Sequence, residues 1–443
     1  MDWNKLISAK RLGSKNRKNI SPEMVRTEFQ RDYDRLIFSS AFRRLQNKTQ
    51  VFPLPGSVFV HNRLTHSLEV ASIGKSLGNM LSIRLKDEKN IDNPALYELG
   101  TIVSAACLAH DLGNPPFGHS GELSISKYFS EGEGRKFQDK VSAQEWSDLL
   151  HFEGNANAFR LLTHKFNGKR SGGFAITYST LAALIKYPFP STAFPEKKKY
   201  GFFSSDMESY KIIASELGLT ELNSDKFVFA RHPLVFLVEA ADDIAYQLMD
   251  LEDAMKLRIL SAEETEALFI NFFDTKKDAS FFEMLKSVYK EISDNNERIA
   301  FLRANVIGKL VRESIDVFMK YHDEILNGNF QASLIKNLPE LSADAIKKVS
   351  KISVEKIYQN PEVITIELSG YNILGSLMTE FINAVFSPST DYSKKVLSLM
   401  PEQYKCQNDN AYNKIQSVLD FISGMTDLYA QKLFRDINGI SSY

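Results

Sequence analysis

One segment, residues 107–122 (CLAHDLGNPPFGHSGE), restricts the fold of this 443-residue chain more than any other. The run that leads into it, residues 101–110, is small and apolar almost all round, which is typical of a buried helix. That helix reaches His110 and Asp111 and is stopped by the glycine and two prolines that follow, because proline cannot continue a helix. An ionised carboxylate is costly to bury unless it is paired or binds a metal. The segment therefore predicts a helical protein with a polar site at the end of a buried helix.

The spacing of apolar residues predicts helices along most of the chain. Residues 23–48 and 62–81 each place aromatic or aliphatic side chains at helical intervals. Residues 233–253 form another apolar segment of helical length. Further helical segments are predicted at 262–345, 372–386 and 410–434, and the first of these is amphipathic and rich in charge.

Two segments depart from this pattern. Residues 187–203 contain three prolines and a lysine triplet, which excludes regular structure and predicts a long ordered loop or lid. Residues 363–368 (VITIEL) are rich in β-branched side chains and form the clearest strand candidate. The predicted fold class is therefore mainly α, with a small β element.

The charge is balanced over the whole chain but not along it. There are 54 Lys and Arg against 55 Asp and Glu, so a general attraction to nucleic acids or membranes is not expected. Residues 1–48 hold 12 basic and five acidic side chains, a net +7, and the remaining 395 residues hold 42 and 50, a net −8. Residues 10–18 (KRLGSKNRK) carry much of the excess and either contact a subunit, a phosphate or single-stranded DNA, or form a solvated tail.

The cysteine content and the absence of targeting signals predict a location in the cytoplasm. Cys107 and Cys406 are far apart and lack a CxxC spacing, which excludes a disulfide framework and a thiolate metal site. Residues 1–20 contain no apolar stretch typical of a secretory signal, and no apolar run is long enough for a membrane helix. We expect a cytoplasmic protein without a membrane partner.

Two further candidate metal ligands lie on predicted apolar helix faces. His66 precedes Val70 by one helical turn and Asp242 follows Val238 by one turn, so both side chains point toward the core. With His110 and Asp111 they form a set of two imidazoles and two carboxylates. A second His-Asp pair, at residues 322 and 323, lies in a charged helix without glycine or proline, and we interpret it as a solvated helix face.

A divalent ion would neutralise the two carboxylates of this set and remove the cost of burying them. Mixed nitrogen and oxygen ligands favour Mn or Mg, with Co, Ni or Fe as alternatives, over a structural zinc site, which prefers sulfur and closed coordination. Four protein ligands on a six-coordinate ion leave two positions open. Such a site is typical of catalysis rather than of structural support.

Five motifs resemble those of one known family. They are RLTHSLEV at 63–70, HDLGNPPFGHSGE at 110–122, FEGN at 152–155, EAADDIAY at 239–246 and GMTDLYA at 424–430. In residue type and order they resemble the bacterial dGTP triphosphohydrolases of the HD-domain phosphohydrolase superfamily. The similarity extends from residue 22 to the C-terminus and is weakest between 260 and 360. The resemblance implies an HD-domain helical fold with a C-terminal helical extension.

The same resemblance implies a reaction: metal-dependent hydrolysis of dGTP, or of another dNTP, to the nucleoside and tripolyphosphate by attack at the α-phosphorus. The adjacent Asp243 would point about 100° away from Asp242 on a helix and is the weaker ligand candidate. The residues that match the family's metal ligands are His66, His110, Asp111 and Asp242.

His119 and Glu122 match the catalytic pair of the family. A carboxylate three residues after a histidine can hold the imidazole in one tautomer and raise its basicity. The imidazole then positions or deprotonates water, or protonates the leaving 5'-oxygen. The sequence leaves these roles open.

Other residues match the family's substrate contacts. Arg63 and His151 resemble contacts to the region of the α-phosphate, and a guanidinium suits phosphate oxygens. Lys186 and Tyr187 resemble the triphosphate-binding pair that precedes the lid, and Lys199 is a further candidate. The residues expected to recognise the deoxyribose are Gln50, Tyr246 and Asp250.

We divide the chain into a basic arm at 1–21, an HD catalytic core at 22–260 and a helical region at 261–443 that covers and completes the site and builds the oligomer. The metal set spans His66 to Asp242, so it cannot be split between separate units. The resemblance implies a homo-oligomer, expected to be a hexamer, with another dNTP or single-stranded DNA as an effector. The sequence does not identify the residues that recognise the base, and residues 424–430 are the only candidate region.

Two alternative functions compete with this interpretation. One is a different HD phosphohydrolase, such as a 5'-nucleotidase or an alarmone or cyclic-nucleotide hydrolase. The other is a nucleotide or nucleic-acid sensor that has lost catalysis, and the intact pair of His119 and Glu122 argues against it. The products formed from dGTP distinguish these hypotheses.

Overall fold

A computed structural model describes residues 1–13, 26–52 and 60–440. Within these residues, twenty α-helices surround the core, and the only sheet is one antiparallel pair, β1 (Glu221–Asn223) and β2 (Val228–Phe229). The prediction of a mainly α fold with a small β element is confirmed. No helix in the described part of the chain is long and apolar enough to cross a membrane.

The α-helices are α1 (Trp3–Leu6), α2 (Glu28–Ile37), α3 (Ser40–Arg44), α4 (Arg63–Lys89), α5 (Leu99–Ala109), α6 (Gly118–Ser130), α7 (Ala143–Leu150), α8 (Gly154–Thr163), α9 (Tyr178–Leu184), α10 (Met207–Leu217), α11 (Val235–Lys256), α12 (Ala262–Ile270), α13 (Ala279–Glu291), α14 (Asn295–Lys320), α15 (His322–Leu326), α16 (Glu340–Ile352), α17 (Pro361–Phe386), α18 (Asp391–Ser398), α19 (Ala411–Ser423) and α20 (Asp427–Ile437). A π-helical turn, Ser353–Ile357, precedes α17. Residues 187–203 contain no helix or strand, as predicted.

The packing of α4, α5 and α11 forms the centre of the molecule. Helix α4 lies along α5, and α11 packs against both. Helices α4 and α5 approach closely at two glycines: a Cβ on Gly78 would lie only 2.7 Å from the Cα of Gly100. Asn62 caps the start of α4 and forms a capping box with Thr65, which fixes where the helix begins. These helices position the three segments that contain the predicted metal ligands.

The apolar core consists of two clusters. The larger one extends from Trp3 to Val363 and includes α4, α5, α11 and α14. The smaller one, from Ile125 to Leu433, joins α6 and the segment around Tyr200 to the C-terminal helices. Residues on both sides of position 260 contribute to both clusters. The proposed division at that residue stays a prediction.

The prediction of a strand at residues 363–368 is wrong. These residues lie in α17, where Asn360 caps the helix and Pro361 occupies its first turn. Asparagine at the cap followed by proline is a common start of a helix. Helix α17 packs on α6, α18 and α19, and this packing outweighs the β propensity of the segment.

The interpretation of His322 as part of a solvated face is also wrong. Its side chain is buried and accepts a hydrogen bond at Nε2 from Trp3 Nε1 at 3.3 Å. Asp323 is exposed and lies 2.8 Å from the other ring nitrogen. The histidine therefore helps to pack the N-terminal helix, and only the aspartate faces solvent.

The first 13 residues of the basic arm pack on the core. Trp3 and Leu6 are buried, and Arg11 is paired with Asp32 and Glu28. These contacts exclude a solvated tail over residues 1–13. Residues 14–25, with the rest of the predicted basic stretch, lie outside the described residues.

A buried ion pair ties α8 to α19. Arg160 donates to Asp420 through Nε at 2.7 Å and through a second nitrogen at 2.8 Å. We expect Asp420→Asn to lower the free energy of unfolding by about 3–5 kcal/mol, because it removes the carboxylate that accepts two hydrogen bonds from a buried guanidinium and leaves only Asp206, at 3.9 Å, as a charged partner among the described residues. Urea denaturation measures the change, with the exposed Asp92→Asn as a control expected to stay within about 0.5 kcal/mol of the parent. Equal stability of the two variants would contradict this assignment.

Candidate functional site

His66, His110, Asp111 and Asp242 meet at one point between α4, α5 and α11. His66 Nε2 lies 3.1 Å from Asp242 Oδ1, and His110 Nε2 lies 3.5 Å from the same oxygen. His110 Nε2 is also 3.6 Å from Asp111 Oδ1. Ligand atoms of His66, His110 and Asp111 all lie within 4.8 Å of one another. Residues far apart along the chain thus form one set of donors, as their positions on apolar helix faces predict.

The ring of His110 is oriented for metal binding. Its Nδ1 lies 2.6 Å from the carbonyl oxygen of Cys107 and donates to it, because a carbonyl can only accept. Nε2 is buried and has no hydrogen-bond partner among the described residues. Burial opposes a positive charge here, but Asp111 and Asp242 raise the pKa of His110 to about 9. A cation is therefore favoured at this position, and the donor set fits a divalent ion.

The carboxylate of Asp111 is oriented by two neighbours. Arg63 donates to its Oδ2 at 2.8 Å, and the side-chain amide of Asn114 donates to its Oδ1 at 2.5 Å. Although burial opposes it, Arg63 and the nearby histidines lower the pKa of Asp111, which keeps the group ionised. The buried Nε of Arg63 has no partner in the part of the chain that the structure describes, so it is available to another acceptor.

Asp242 is held ionised in the same way. Burial acts to raise its pKa, but the charge and hydrogen bonds of His110 and His66 keep the pKa of Asp242 well below its usual range. Burial and the neighbouring Asp242 raise the pKa of Asp243 to about 7. The two adjacent carboxyls therefore differ in charge near neutral pH.

His119 and Glu122 lie in the first turn of α6, at the edge of the metal-ligand set. His119 Nδ1 is 2.8 Å from Glu122 Oε2, and the other oxygen of Glu122 accepts from the backbone N–H of Gly154 at 2.7 Å. This hydrogen bond with Glu122 raises the pKa of His119. The imidazole is 69% exposed, whereas the carboxylate is 9% exposed. A buried carboxylate that makes two hydrogen bonds thus orients an accessible imidazole.

Two residues in the left-handed region set the turn before His119. Phe117 has a φ of +62° and Gly118 a φ of +58°. The positive φ favours glycine at position 118, and a Cβ there would lie 2.5 Å from a guanidinium nitrogen of Arg63, so a larger residue would displace that side chain. The glycine lets this turn approach the arginine closely.

A cavity of about 310 Å³ connects these groups. It contains side chains of the predicted metal, catalytic and phosphate-binding residues. Those on its wall are Arg63, His110, Asp111, His119, Glu122, Lys186, Tyr187, Lys199 and Asp242. His66 lies immediately behind the wall, against Asp242.

Each lysine of the cavity is paired with an acidic residue that has no predicted role, and Lys199 also lies near Glu122. Lys186 Nζ lies 3.0 Å from Glu239 Oε1. Lys199 Nζ lies 2.8 Å from Glu153 Oε2 and 3.6 Å from Glu122 Oε2. Glu153 and Glu239 both line the cavity. Their place in the FEGN and EAADDIAY motifs is the signal that could have identified them.

His151 does not line the cavity. It ends α7, and its Nδ1 lies 3.1 Å from the carbonyl oxygen of Ser147. This contact orients the ring within its own turn. A contact of His151 with the α-phosphate stays a prediction.

Tyr246 and Asp250, predicted to test the sugar, lie next to the metal-ligand set but not on the wall of this cavity. The ring of Tyr246 is 6.5 Å from that of His66 and is stacked on Tyr358 at 6.1 Å. Tyr358 donates to Asp250 Oδ2 at 2.8 Å. Tyr358 lies outside all five motifs, so no sequence signal identified it. Gln50 has a buried Oε1 that finds no partner within the described ranges, so this oxygen is available as an acceptor.

Comparisons with known proteins identify the family of this chain. Residues 63–187 match the model of the HD domain, and residues 337–436 match that of the phosphohydrolase-associated domain. The chain is 36% identical to a deoxyguanosinetriphosphate triphosphohydrolase-like protein of Pseudomonas aeruginosa (strain LESB58) and 37% identical to one of Synechocystis sp., over the full length of each. It is 30% identical to the deoxyguanosinetriphosphate triphosphohydrolase of Yersinia enterocolitica, over 98% of both chains. With motifs, helical fold and full-length similarity in agreement, the chain belongs to the deoxyguanosinetriphosphate triphosphohydrolase family of HD-domain hydrolases.

Proposed function

We propose that the protein is a metal-dependent deoxynucleoside triphosphate triphosphohydrolase that converts dGTP and water to deoxyguanosine and tripolyphosphate. The observation that carries this proposal is a single cavity shared by three of the four predicted metal ligands, the pair of His119 and Glu122, and three basic side chains, those of Arg63, Lys186 and Lys199. A triphosphate carries several negative charges, so it needs both a cation and basic side chains to replace its hydration. The names of the relatives support the same substrate class.

The residues that would hold the metal are His66, His110, Asp111 and Asp242. Their nitrogen and oxygen donors favour Mn or Mg, with Co, Ni or Fe as alternatives. When bound, a divalent ion would offset charge on the α-phosphate and lower the pKa of water.

The protein groups have separate roles in this proposal. The free Nε of Arg63 points to a role in binding an α-phosphate oxygen, since a guanidinium can serve two acceptors at once. Lys186, Tyr187 and Lys199 bind the outer phosphates. As the water oxygen bonds to the α-phosphorus, the bond from phosphorus to the 5'-oxygen breaks, and that oxygen takes a proton. The raised pKa of His119 keeps its imidazolium populated to higher pH, which suits it to donate this proton.

The acid role predicts the response of the pH profile to Glu122→Gln. The hydrogen bond with Glu122 raises the pKa of His119, so removing the negative charge lowers that pKa. The imidazolium is then lost at lower pH, and we expect the alkaline limb of the kcat profile to move to lower pH. Kinetics from pH 5 to 10 measure the shift, with wild-type protein as the reference. A shift of the acidic limb would assign His119 as a base, and two unmoved limbs would contradict coupling between the two residues.

The proposed reaction is tested by a product-resolved screen. Purified protein is given each of the four dNTPs with Mn or Mg, and each assay is repeated with a second dNTP present. We expect deoxyguanosine and tripolyphosphate in equal amounts from dGTP. Release of dGDP and phosphate, or no turnover of any dNTP, would refute the proposal. The assays with a second dNTP measure activation directly.

The remaining expectations are independent of this reaction. A homo-oligomer, expected to be a hexamer, a single-stranded DNA effector and a cytoplasmic location stay predictions. Light scattering of the full chain, with and without single-stranded DNA, tests the first two.

A further inference from the structure

Asp427 connects the GMTDLYA motif to two distant segments. This motif, residues 424–430, supplies no residue to the proposed chemistry. Asp427 Oδ1 accepts from the backbone N–H of Phe117 at 3.0 Å, and Oδ2 accepts from the backbone N–H of Thr49 at 2.8 Å. The side chain is buried, at 7% exposure of the residue. One carboxylate from the C-terminal region therefore fixes the main chain at two places in the N-terminal half.

Both anchored positions lie one or two residues before predicted substrate-facing residues. Thr49 precedes Gln50, predicted to test the sugar, and Phe117 lies two residues before His119. Phe117 has a positive φ, a conformation that costs about 1–3 kcal/mol for a residue other than glycine and persists only when its surroundings impose it. The hydrogen bond from Asp427 satisfies the N–H at this strained position.

A buried lysine holds the other end of the same turn. Lys48 Nζ donates to the carbonyl oxygen of Asn114 at 2.5 Å and to that of Ser423, the last residue of α19, at 2.7 Å. Lys48 adjoins Thr49, so the segment that precedes Gln50 is joined to the turn before His119 through both residues. Asn114 and Phe117 mark the two ends of that turn. Its backbone is thus held at both ends by side chains outside it.

We propose that Asp427 is a positioning residue that sets the separation of Gln50 and His119, and with it the discrimination between deoxyribose and ribose. This inference rests on the proposed function. Asp427 reaches both segments through their backbones and does not line the cavity, so it acts through them rather than on the substrate. A shift of about 1 Å in a reacting group can reduce a rate by about a hundredfold.

The test compares Asp427→Asn with Asp420→Asn. Asparagine has the shape of aspartate but one acceptor oxygen, so it leaves one of the two backbone N–H groups without a partner. Asp420 is equally buried in the same region, and in the described part of the chain its carboxylate accepts from Arg160 rather than from either segment, so its variant controls for loss of stability. Metal content, thermal stability, and kcat and KM for the best dNTP and the matching ribonucleotide are measured on the full chain.

For Asp427→Asn we expect unchanged metal content, a fall in kcat of about 10- to 100-fold and a fall of about tenfold in the preference for the deoxynucleotide. Asp420→Asn lowers stability but keeps the preference. The proposal is overturned if Asp427→Asn keeps the wild-type preference, or if Asp420→Asn loses as much of it.

Hydrogen exchange distinguishes failure of this inference from failure of the proposed function. If the wild-type protein hydrolyses no dNTP, the proposed function fails. Exchange of the Phe117 and Thr49 amides then still tests whether Asp427 anchors the two segments. Faster exchange of at least one of the two amides in Asp427→Asn, but not in Asp420→Asn, supports the anchoring. Unchanged exchange at both amides overturns it.

Discussion

Replacing Asp242 with asparagine is expected to remove the bound metal and to reduce dNTP hydrolysis about a thousandfold or more. Asp242 Oδ1 lies within 3.5 Å of both His66 and His110, so its charge is central to the set of donors. A catalytic cation contributes several kcal/mol to stabilising a transition state, and about 1.4 kcal/mol corresponds to a tenfold change in rate. The metal content of purified protein, together with tripolyphosphate release, measures both effects.

The adjacent carboxylate supplies the matched control. Asp243 follows on the same helix but has no contact with either histidine among the described residues, and it does not line the cavity. Asp243→Asn is therefore expected to keep the metal and most of the activity. Metal retained in Asp242→Asn, or lost to the same degree in Asp243→Asn, would show that the ligand set has been assigned wrongly.

The second large effect is expected for His119→Ala, which should reduce kcat by about 10²- to 10⁴-fold, the usual contribution of a general acid or base. The imidazole is 69% exposed and reaches the cavity, so its removal costs little packing. Because His119 is not among the metal donors, the metal content should stay at the wild-type level. Stopped assays of nucleoside release, combined with metal analysis, separate this variant from Asp242→Asn, which loses both.

Leu123→Ala is the control for His119→Ala. Leu123 lies one turn further along α6, is 36% exposed and does not line the cavity. Its replacement should leave kcat unchanged. If His119→Ala retains wild-type kcat, or if it also loses its metal, the assignment of a separate catalytic pair is untenable.

The convergence of the metal donors could be predicted because each of them is a polar residue on an apolar helix face. His66 and Asp242 are 176 residues apart, and each lies one turn from a valine of its own helix. Helical periodicity sets which side chains face the core, so burial of a histidine and an aspartate already implied a partner for each. These residues do meet in the folded chain, although their binding of a metal stays a prediction.

Local patterns were misleading where packing outweighed them. The β-branched residues 363–368 begin a long helix because an Asn-Pro cap precedes them and α6 packs along that helix. His322 lies in a charged segment, yet Trp3 covers it from the far end of the described chain. The packing of α6 on α17 and of Trp3 on His322 cannot be predicted from the spacing of nearby residues.

Residue type, periodicity and motif order thus determine the helical class and the family and predict the metal donors and the catalytic pair, since each of these is recognised from patterns within single segments of the chain. The tertiary structure decides which groups hold that chemistry in place. The carboxylate of Asp427 anchors Phe117 and Thr49, and Tyr358 holds Asp250, across more than 100 residues in every case. A hydrogen bond to a distant backbone N–H produces no periodic signal in the sequence, so only the folded chain reveals it.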